Sequence, residues 1–144
     1  MSVAHILKRK GNAVITVSPS QTLHEVAGIL AKHRIGAVVV ADTAGAIIGI
    51  LSERDLVRAL AGEGAAALAR TAREFMTAKV RTCSPRDTEA ALMGLMTEHR
   101  IRHLPVVEDG KLAGMISIGD VVKLRIEMIE REAEEMKSYI ASAG

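Results

Sequence analysis

The heptapeptide GILSERD at residues 49–55 returns as GMISIGD at residues 114–120, with Gly, Ser and Asp at matching places. Working outward from this motif, residues 18–57 overlay on residues 84–122 with an offset of 66, which becomes 65 after a one-residue difference in a turn. Ser-Pro aligns with Ser-Pro at the start of the overlay, and His-Arg-Ile aligns with His-Arg-Ile in its middle. Each copy is too short to bury a good core alone. The repeat therefore predicts two half-modules packed around a pseudo-two-fold axis.

Each copy shows the same pattern of helical spacing. Apolar residues from Thr22 to His33 recur at i, i+3 and i+4, and Thr22 with Glu25 forms a capping box at the start. The second copy has the matching stripe, with Asp87 or Thr88 as its cap. The pattern predicts one amphipathic helix in the middle of each copy.

The strands follow from short apolar, β-branched runs. The runs at 37–41 and 46–51, and those at 104–107 and 112–116, are separated by turn residues and predict two hairpins. Short strands are predicted at 14–17 and 80–82, and a further helix starts at each motif Ser. The order β-α-β-β-α, twice, defines an α/β fold with small mixed sheets and helices. The predicted boundaries are 1–63 for the first repeat with a lead-in helix, 64–72 for an Ala- and Gly-rich connector, 73–126 for the second repeat and 127–144 for an extension of the last helix.

Composition excludes several classes of function. A net charge of +2 over 144 residues is too weak a field to predict nucleic acid or an acidic membrane as partner. Aromatic residues make up 1%, so neither a base-stacking platform nor an aromatic cage is expected. A single cysteine, no apolar run of membrane-spanning length and no signal peptide predict a cytoplasmic protein without disulfides.

The two motifs, together with RHLPVV at residues 102–107, resemble a tandem cystathionine-β-synthase (CBS) domain pair. The resemblance covers roughly residues 3–125. It implies a non-catalytic regulatory module whose clefts bind adenine nucleotides, with AMP as the first expectation and ADP, ATP, NAD(H) or S-adenosylmethionine as other adenosyl ligands. It also implies a homodimer and an effector protein regulated by cleft occupancy. No metal is expected, on the residues alone.

The residues themselves give a physical reason for such a cleft. A Ser at a helix start stands beside free backbone N–H groups, where a phosphate or another polar oxygen binds well. An Asp one turn later can accept hydrogen bonds from ribose hydroxyls. Gly49 and Gly114 would let a base approach the strand. Apolar strand residues would flank it, namely Val38, Val39, Leu104 and Val106. The alternative is that Ser-x-x-Asp only caps its helix.

The predicted nucleotide-binding residues fall into two sets. The second-repeat set contains the most positive charge, in Arg102 and His103, and is expected to be the better site; the Lys-Arg-Lys run at 8–10 is read as a solvated turn. The resemblance assigns phosphate contacts to Arg102 and His103. The second-repeat set is Ser117, Asp120, Arg102, His103, Leu104, Pro105 and Thr82, and the first-repeat set is Ser52, Asp55, Arg54, Gly36, Ala37, Val38 and Val17.

Other chemistry finds little support in the sequence. His99 and His103 have the i, i+4 spacing of a zinc pair, but they straddle a helix-to-strand junction and have no acidic or Cys partner. Cys83 lacks a nearby base and is expected to be a buried small residue. No catalytic constellation is present. The alternative to a nucleotide sensor is a structural adaptor that dimerises through its helices and has vestigial clefts.

Overall fold

Two helix-hairpin-helix units follow one another along the chain, the first of them preceded by a short strand, and the computed structural model describes residues 1–143. The α/β class is confirmed, and the order of helix, hairpin and helix occurs twice. No helix of these residues is both long enough and apolar enough to cross a membrane. The elements are α1 (Val3–Lys10), β1 (Thr16–Val17), α2 (Leu23–His33), β2 (Ala37–Ala41), β3 (Ile47–Ser52), α3 (Glu53–Glu63), a 3-10 helix (Gly64–Ala69), α4 (Ala72–Phe75), α5 (Glu89–His99), β4 (His103–Glu108), β5 (Lys111–Ser117) and α6 (Ile118–Ala143).

The central helix of each repeat begins at a threonine cap. Thr22 Oγ1 accepts a hydrogen bond from the Glu25 N–H at 3.1 Å. The reciprocal half of the predicted capping box does not form, because the Glu25 carboxylate accepts instead from the Gln21 side chain. Thr88, and not Asp87, caps α5 in the same way. A side-chain acceptor at this place satisfies one of the free N–H groups of the first turn.

Each repeat contains a hairpin, and the first hairpin belongs to a mixed three-stranded sheet. There β2 pairs antiparallel with β3 and parallel with β1. In the second repeat β4 pairs antiparallel with β5. Its turn uses Asp109 and Gly110 at φ 51° and 75°, the left-handed values that a tight two-residue turn needs. Both hairpins shift register at the equivalent place, after Val40 and after Val106.

The short strand predicted at 80–82 is wrong, because only Cys83 pairs with β4, in an isolated parallel bridge. Cys83 exchanges two backbone hydrogen bonds with β4. Its N–H donates to the Pro105 carbonyl at 2.9 Å, and its carbonyl accepts from the Val107 N–H at 2.8 Å. In the first repeat the Val39 N–H donates to the Ile15 carbonyl. Pro105 occupies the place of Val39 and has no N–H. The corresponding bond, and with it a longer strand, cannot form.

The lead-in segment of each repeat packs into the core of the other. Helix α1, expected as part of the first repeat, buries Val3, Ile6 and Leu7 in the core of the second. Conversely, Ala67 and Ala72, which precede the second repeat, are fully buried in the core of the first. Matching isolated bridges tie the segments down, Ser2 to Thr88 and Thr22 to Thr71. Because each core includes a segment that precedes the other repeat, the two repeats form one folding unit.

The connector is regular structure and not a loose link. Helix α3 continues to Glu63, a 3-10 helix follows, and α4 begins directly after Thr71. At the start of α4 the Thr71 N–H donates to the Glu74 carboxylate at 2.9 Å. The alanines that gave this stretch its weak periodicity allow close backbone approach, and Ala67 and Ala72 have no exposed surface.

Truncating Leu7 tests the crossed packing. Leu7 is 6% exposed, and its Cδ2 lies 2.5 Å from where a Cβ on Gly114 would stand, so it fills the notch over that glycine. We expect Leu7→Ala to lower the free energy of unfolding by about 3 kcal/mol, as for other buried Leu-to-Ala changes. Urea unfolding of the full chain measures it. The exposed neighbour Lys8→Ala should change stability by no more than about 0.5 kcal/mol; equal effects would contradict the packing.

Candidate functional site

Both Ser-x-x-Asp motifs form reciprocal caps at the start of a helix. In the first repeat the Ser52 N–H donates to Asp55 Oδ2 at 2.8 Å, and the Asp55 N–H donates to Ser52 Oγ at 3.3 Å. In the second repeat the corresponding distances between Ser117 and Asp120 are 2.9 and 3.2 Å. Both motifs therefore cap their helices, and the cap occupies one carboxylate oxygen, Oδ2, in each case.

A cleft of about 690 Å³ lies between the repeats near the first motif. This volume is within the usual range of small-molecule pockets. Its lining comes from both repeats, which means that a bound molecule would touch both. The lining residues are Gly36, Ile50, Ser52, Glu53, Arg54, Asp55, Arg58, Thr77, Lys79, Arg81, His99, Arg100, Ile101, Arg102 and His103.

Positive charge dominates this cleft. Six cationic side chains face two carboxylates, an excess of four positive charges before either histidine is counted. Arg54 Nη1 donates to the Arg100 carbonyl at 3.1 Å and so joins α3 of the first repeat to the end of α5 in the second. A concave surface with one sign of charge concentrates ligands of the opposite sign. The cleft is thus built to attract an anion.

His103 stands where the repeats meet. Gly36 makes room for it, because a Cβ at that position would lie 2.9 Å from the imidazole Cε1. Burial lowers the pKa of His103, and the positive charges of Lys10 and Arg102 lower it further against the opposing effect of the nearby carboxylates. The imidazole is therefore neutral near pH 7, and it gains a proton only when the pH falls below the ordinary pKa of a histidine.

The second motif is closed by a lysine of α1. Lys10 Nζ donates to Asp120 Oδ2 at 2.8 Å and to the Met115 carbonyl at 2.9 Å. Burial opposes ionisation of Asp120, but the hydrogen bonds from Lys10 and from the Ser117 N–H hold the pKa of the carboxyl below its ordinary value. Lys10, expected as a solvated residue, thus neutralises the carboxylate that the sequence favoured for ribose.

The structure places some of the predicted residues in a shared cleft. Arg102 and His103 lie beside the second motif as expected, since His103 pairs with Ser117 and the Ile118 N–H donates to the Arg102 carbonyl at 2.8 Å, but they also line the cleft near the first motif. Ser52, Arg54, Asp55 and Gly36 share that cleft with them. The predicted residues that do not line it are Ser117, Asp120, Thr82, Leu104, Pro105, Ala37, Val38 and Val17.

Several apolar residues that were predicted to contact the ligand have their side chains buried in the two cores. Val38, Leu104 and Val106 have no exposed surface, and Val17 is 2% exposed, so their side chains are not available to flank a base as expected. They hold the strands in place, and only their backbone can face a ligand. Cys83 is also buried, and burial raises the pKa of its thiol to about 12, which keeps it protonated.

The motif glycines admit protein side chains and not a base. A Cβ on Gly49 would collide with the Met76 side chain, and one on Gly114 with Leu7. Each glycine therefore accommodates an apolar residue from one of the crossing lead-in segments. The expectation that a base approaches the strands at these glycines is wrong.

Three cationic residues of the cleft were missed by the sequence reading, namely Arg58, Lys79 and Arg81. Spacing could have indicated them. Arg58 lies one turn after Arg54 on α3, on the same helix face. Lys79 and Arg81 are two residues apart, on either side of Val80. This spacing places both side chains on the same side of an extended segment.

Together, the crossed repeats and the shared basic cleft define a module made of paired ligand-binding repeats. The chain belongs to the CBS domain family, whose sequence model matches residues 3–62 and 72–127. CBS-domain pairs are regulatory modules that bind adenosyl ligands, and they are generally non-catalytic.

Solved and curated relatives agree with this assignment. The crystal structure of the CBS-domain protein ATU1752 from Agrobacterium tumefaciens is 52% identical, has a TM-score of 0.85 and matches 86% of this chain and 92% of that one. CBSX3, a mitochondrial CBS domain-containing protein of Arabidopsis thaliana, is 30% identical over 96% of this chain and 71% of its own. The CBS pair of MJ0100, solved with 5′-methylthioadenosine and S-adenosylmethionine, is 28% identical, with a TM-score of 0.77 over 89% of this chain and 98% of that one.

Proposed function

We propose that the cleft near the first motif binds an adenine nucleotide and that occupancy regulates a partner protein. The observation that carries the proposal is the excess of four positive charges beside Asp55, in a cleft shared by both repeats. Asp55 supplies an acceptor for the sugar, and the cations neutralise phosphates. The same cleft lacks the arrangement of nucleophile and base that catalysis would need.

The ribose is assigned to Asp55. Its Oδ2 accepts from the Ser52 backbone N–H at 2.8 Å and from Ser52 Oγ at 3.1 Å. No residue in 1–143 donates a hydrogen bond to its Oδ1, which leaves that oxygen to accept a ribose hydroxyl. A carboxylate held by its own helix cap is pre-organised, so binding costs little side-chain entropy.

The adenine is assigned to the aliphatic part of the lining. Ile50 and Ile101 come from opposite repeats and are both partly exposed in the cleft. They would hold the ring between aliphatic side chains, with backbone groups at its edge. This arrangement suits a chain with only one Phe and one Tyr.

The charge of the cleft favours a ligand with several phosphates. We infer the order ATP, then ADP, then AMP, in place of AMP as first choice. NAD(H) ranks no higher than AMP, because each of its two phosphates is a diester with a single negative charge. S-adenosylmethionine carries a sulfonium cation and is disfavoured by an electropositive cleft, although the MJ0100 pair binds it. Opposite charges close together in a partly buried cleft attract more strongly than they do in bulk water.

Regulation follows from where the ligand sits. Because α3 and the α5–β4 junction come from different repeats, a ligand touching both favours one relative packing over others. We propose that this change is passed to a second copy or to a separate effector, in the cytoplasm. The lone buried thiol of Cys83 is compatible with a reducing compartment.

A ligand panel tests the proposal. Protein freed of co-purified small molecules by unfolding and refolding is heated with AMP, ADP, ATP, NAD+, NADH or S-adenosylmethionine. At about a hundredfold excess over its dissociation constant, a ligand should stabilise the fold by about 2.7 kcal/mol. We expect ATP to raise the melting temperature most. If no compound raises it, the adaptor with vestigial clefts is the better description.

The pH dependence of ATP binding should show how much the protonation of His103 contributes to the affinity. Because the pKa of His103 is lowered, protonation comes only at acid pH, and it adds a positive charge beside the phosphates. We expect His103 to strengthen ATP binding about fivefold between about pH 7.5 and about pH 5.5. Titration calorimetry of wild type and His103→Gln measures the difference, since the protonation of ATP itself is common to both. Parallel pH profiles for the two proteins would contradict the prediction.

A further inference from the structure

Helix α6 runs well past the second repeat. It spans 26 residues, roughly 39 Å, and from Ile129 to Ala143 every residue is exposed. Its buried residues, Val121 and Leu124, belong to the first two turns. An isolated helix of about 14 residues is marginal in water. Something beyond the fold of one chain must stabilise the last four turns.

The exposed part of α6 presents one apolar seam. Its members recur at spacings of 4, 3, 4, 3 and 4 residues, the pattern of a and d positions in a coiled coil. The five larger members are between 41% and 64% exposed. The α6 seam consists of Val122, Ile126, Ile129, Ala133, Met136 and Ile140.

Charges beside the seam indicate what covers it. Taking Ile126 as an a position, Arg125 and Glu132 fall at g, and Glu130 and Lys137 fall at e. In a parallel pair each g residue faces the e residue five places later in the other helix. Arg125 would then face Glu130 of the second copy, and Glu132 would face Lys137 of the second copy. Both pairs are attractive.

The opposite orientation fits less well. In an antiparallel pair e faces e and g faces g. With Ile126 placed opposite Met136 of the second copy, Glu130 approaches Glu130 of the second copy, and Glu132 approaches Glu132 of the second copy. Like charges at these places disfavour that register.

We propose that α6 pairs in parallel and in register with α6 of a second copy through the α6 seam. The pairing starts at Val122, which is exposed on the turns of α6 that pack on the second repeat, and continues to Ile140. Arg125 also bonds the buried Glu89 at 3.3 Å, which fixes the start of the seam to the second repeat. The pairing needs no nucleotide.

The oligomeric state of the full chain without nucleotide tests the pairing. Sedimentation velocity over a concentration series should give twice the mass of one chain. Met136→Glu with Ile140→Glu should weaken association at least about a hundredfold, because each seam layer then holds two facing carboxylates. Ser138→Glu with Ala141→Glu adds the same charge off the seam and should leave the dimer intact. A monomeric wild type, or a dimer that survives the seam variant, would overturn the proposal.

Orientation is tested by a disulfide between copies. A parallel, in-register pair places Ala133 opposite Ala133 of the second copy. The two cysteines of Ala133→Cys should therefore form a disulfide between the copies under mild oxidation. Ala141→Cys lies on the outer face and should not. The native Cys83 is buried and stays out of the reaction. Crosslinking of Ala141→Cys at the same rate, or a dimer without crosslinking of Ala133→Cys, would exclude the parallel arrangement.

Discussion

Replacing Asp55 by Ala is expected to weaken ATP binding about thirtyfold, while the same change at Asp120 leaves the affinity within about twofold. A hydrogen bond to a charged acceptor contributes about 2 kcal/mol, which corresponds to about thirtyfold. Asp55 lines the basic cleft, whereas the Asp120 carboxylate is already held by Lys10 at 2.8 Å. Titration calorimetry with both variants measures the difference.

The two variants are matched controls for each other. Each aspartate accepts from the backbone N–H of the serine that caps its helix, at 2.8 Å in the first repeat and 2.9 Å in the second. Each substitution should therefore cost a similar helix cap, about 1 kcal/mol, and Asp120→Ala also breaks the ion pair with Lys10. A loss of affinity that merely reflects stability would be at least as large in Asp120→Ala as in Asp55→Ala. Only a ligand contact at Asp55 separates them.

A ribose analogue sharpens the comparison. With 2′,3′-dideoxy-ATP the wild type should bind as weakly as Asp55→Ala binds ATP, and the variant should lose little more. A larger loss in Asp120→Ala than in Asp55→Ala would place the ribose at the second motif, with Lys10 displaced by the ligand. That result would restore the site that the sequence favoured.

Much of the fold could be predicted from local sequence, because both repeats carry the same pattern of apolar residues and turns. The hairpins and central helices follow from periods of two and 3.6 residues, which local spacing reveals. What failed depended on a single group. Pro105 lacks one N–H, and the strand predicted at 80–82 does not form. Of the two caps that the sequence allowed for α5, the structure uses Thr88 and not Asp87. Such choices are made by a few atoms and not by a pattern.

The candidate site was harder to predict because it is assembled across the repeats. The sequence overlay pairs each motif with the basic residues of its own repeat, but in the fold Arg102 also lines the cleft that contains Asp55, 47 residues away. The crossing of the lead-in segments brings Lys10 to Asp120 over an even longer separation. Separation of this kind leaves no local signal. The residue types of the site were largely predictable, and their grouping was not.

The glycines show how a correct motif can receive a wrong role. Gly49 and Gly114 are part of the motif that identified the repeat, and a missing side chain suggested room for a ligand. In the fold that room is filled by Met76 and Leu7. A sequence shows where a Cβ is absent, but only the packing of distant segments shows what occupies the space.

Removing cations from the cleft should reduce the affinity for ATP far more than the affinity for adenosine. We expect Arg81→Ala with Arg102→Ala to weaken ATP binding about a hundredfold and adenosine binding no more than about twofold. Both residues line the cleft from the second repeat and are exposed, so the variant should fold normally. Titration of each protein with adenosine, AMP, ADP and ATP measures the effect of each added phosphate.

The ladder of affinities separates a phosphate site from general attraction to a basic protein. In wild type each added phosphate should tighten binding, and the gain should shrink at high salt because exposed charges are screened. In the variant the ladder should be nearly flat. Arg73→Ala with Arg131→Ala removes two exposed cations away from the cleft and should keep the wild-type ladder. If that control flattens the ladder equally, or if S-adenosylmethionine binds wild type more tightly than ATP, the charge of the cleft does not select the ligand. In that case adenosine recognition by Asp55 and the aliphatic lining would determine specificity.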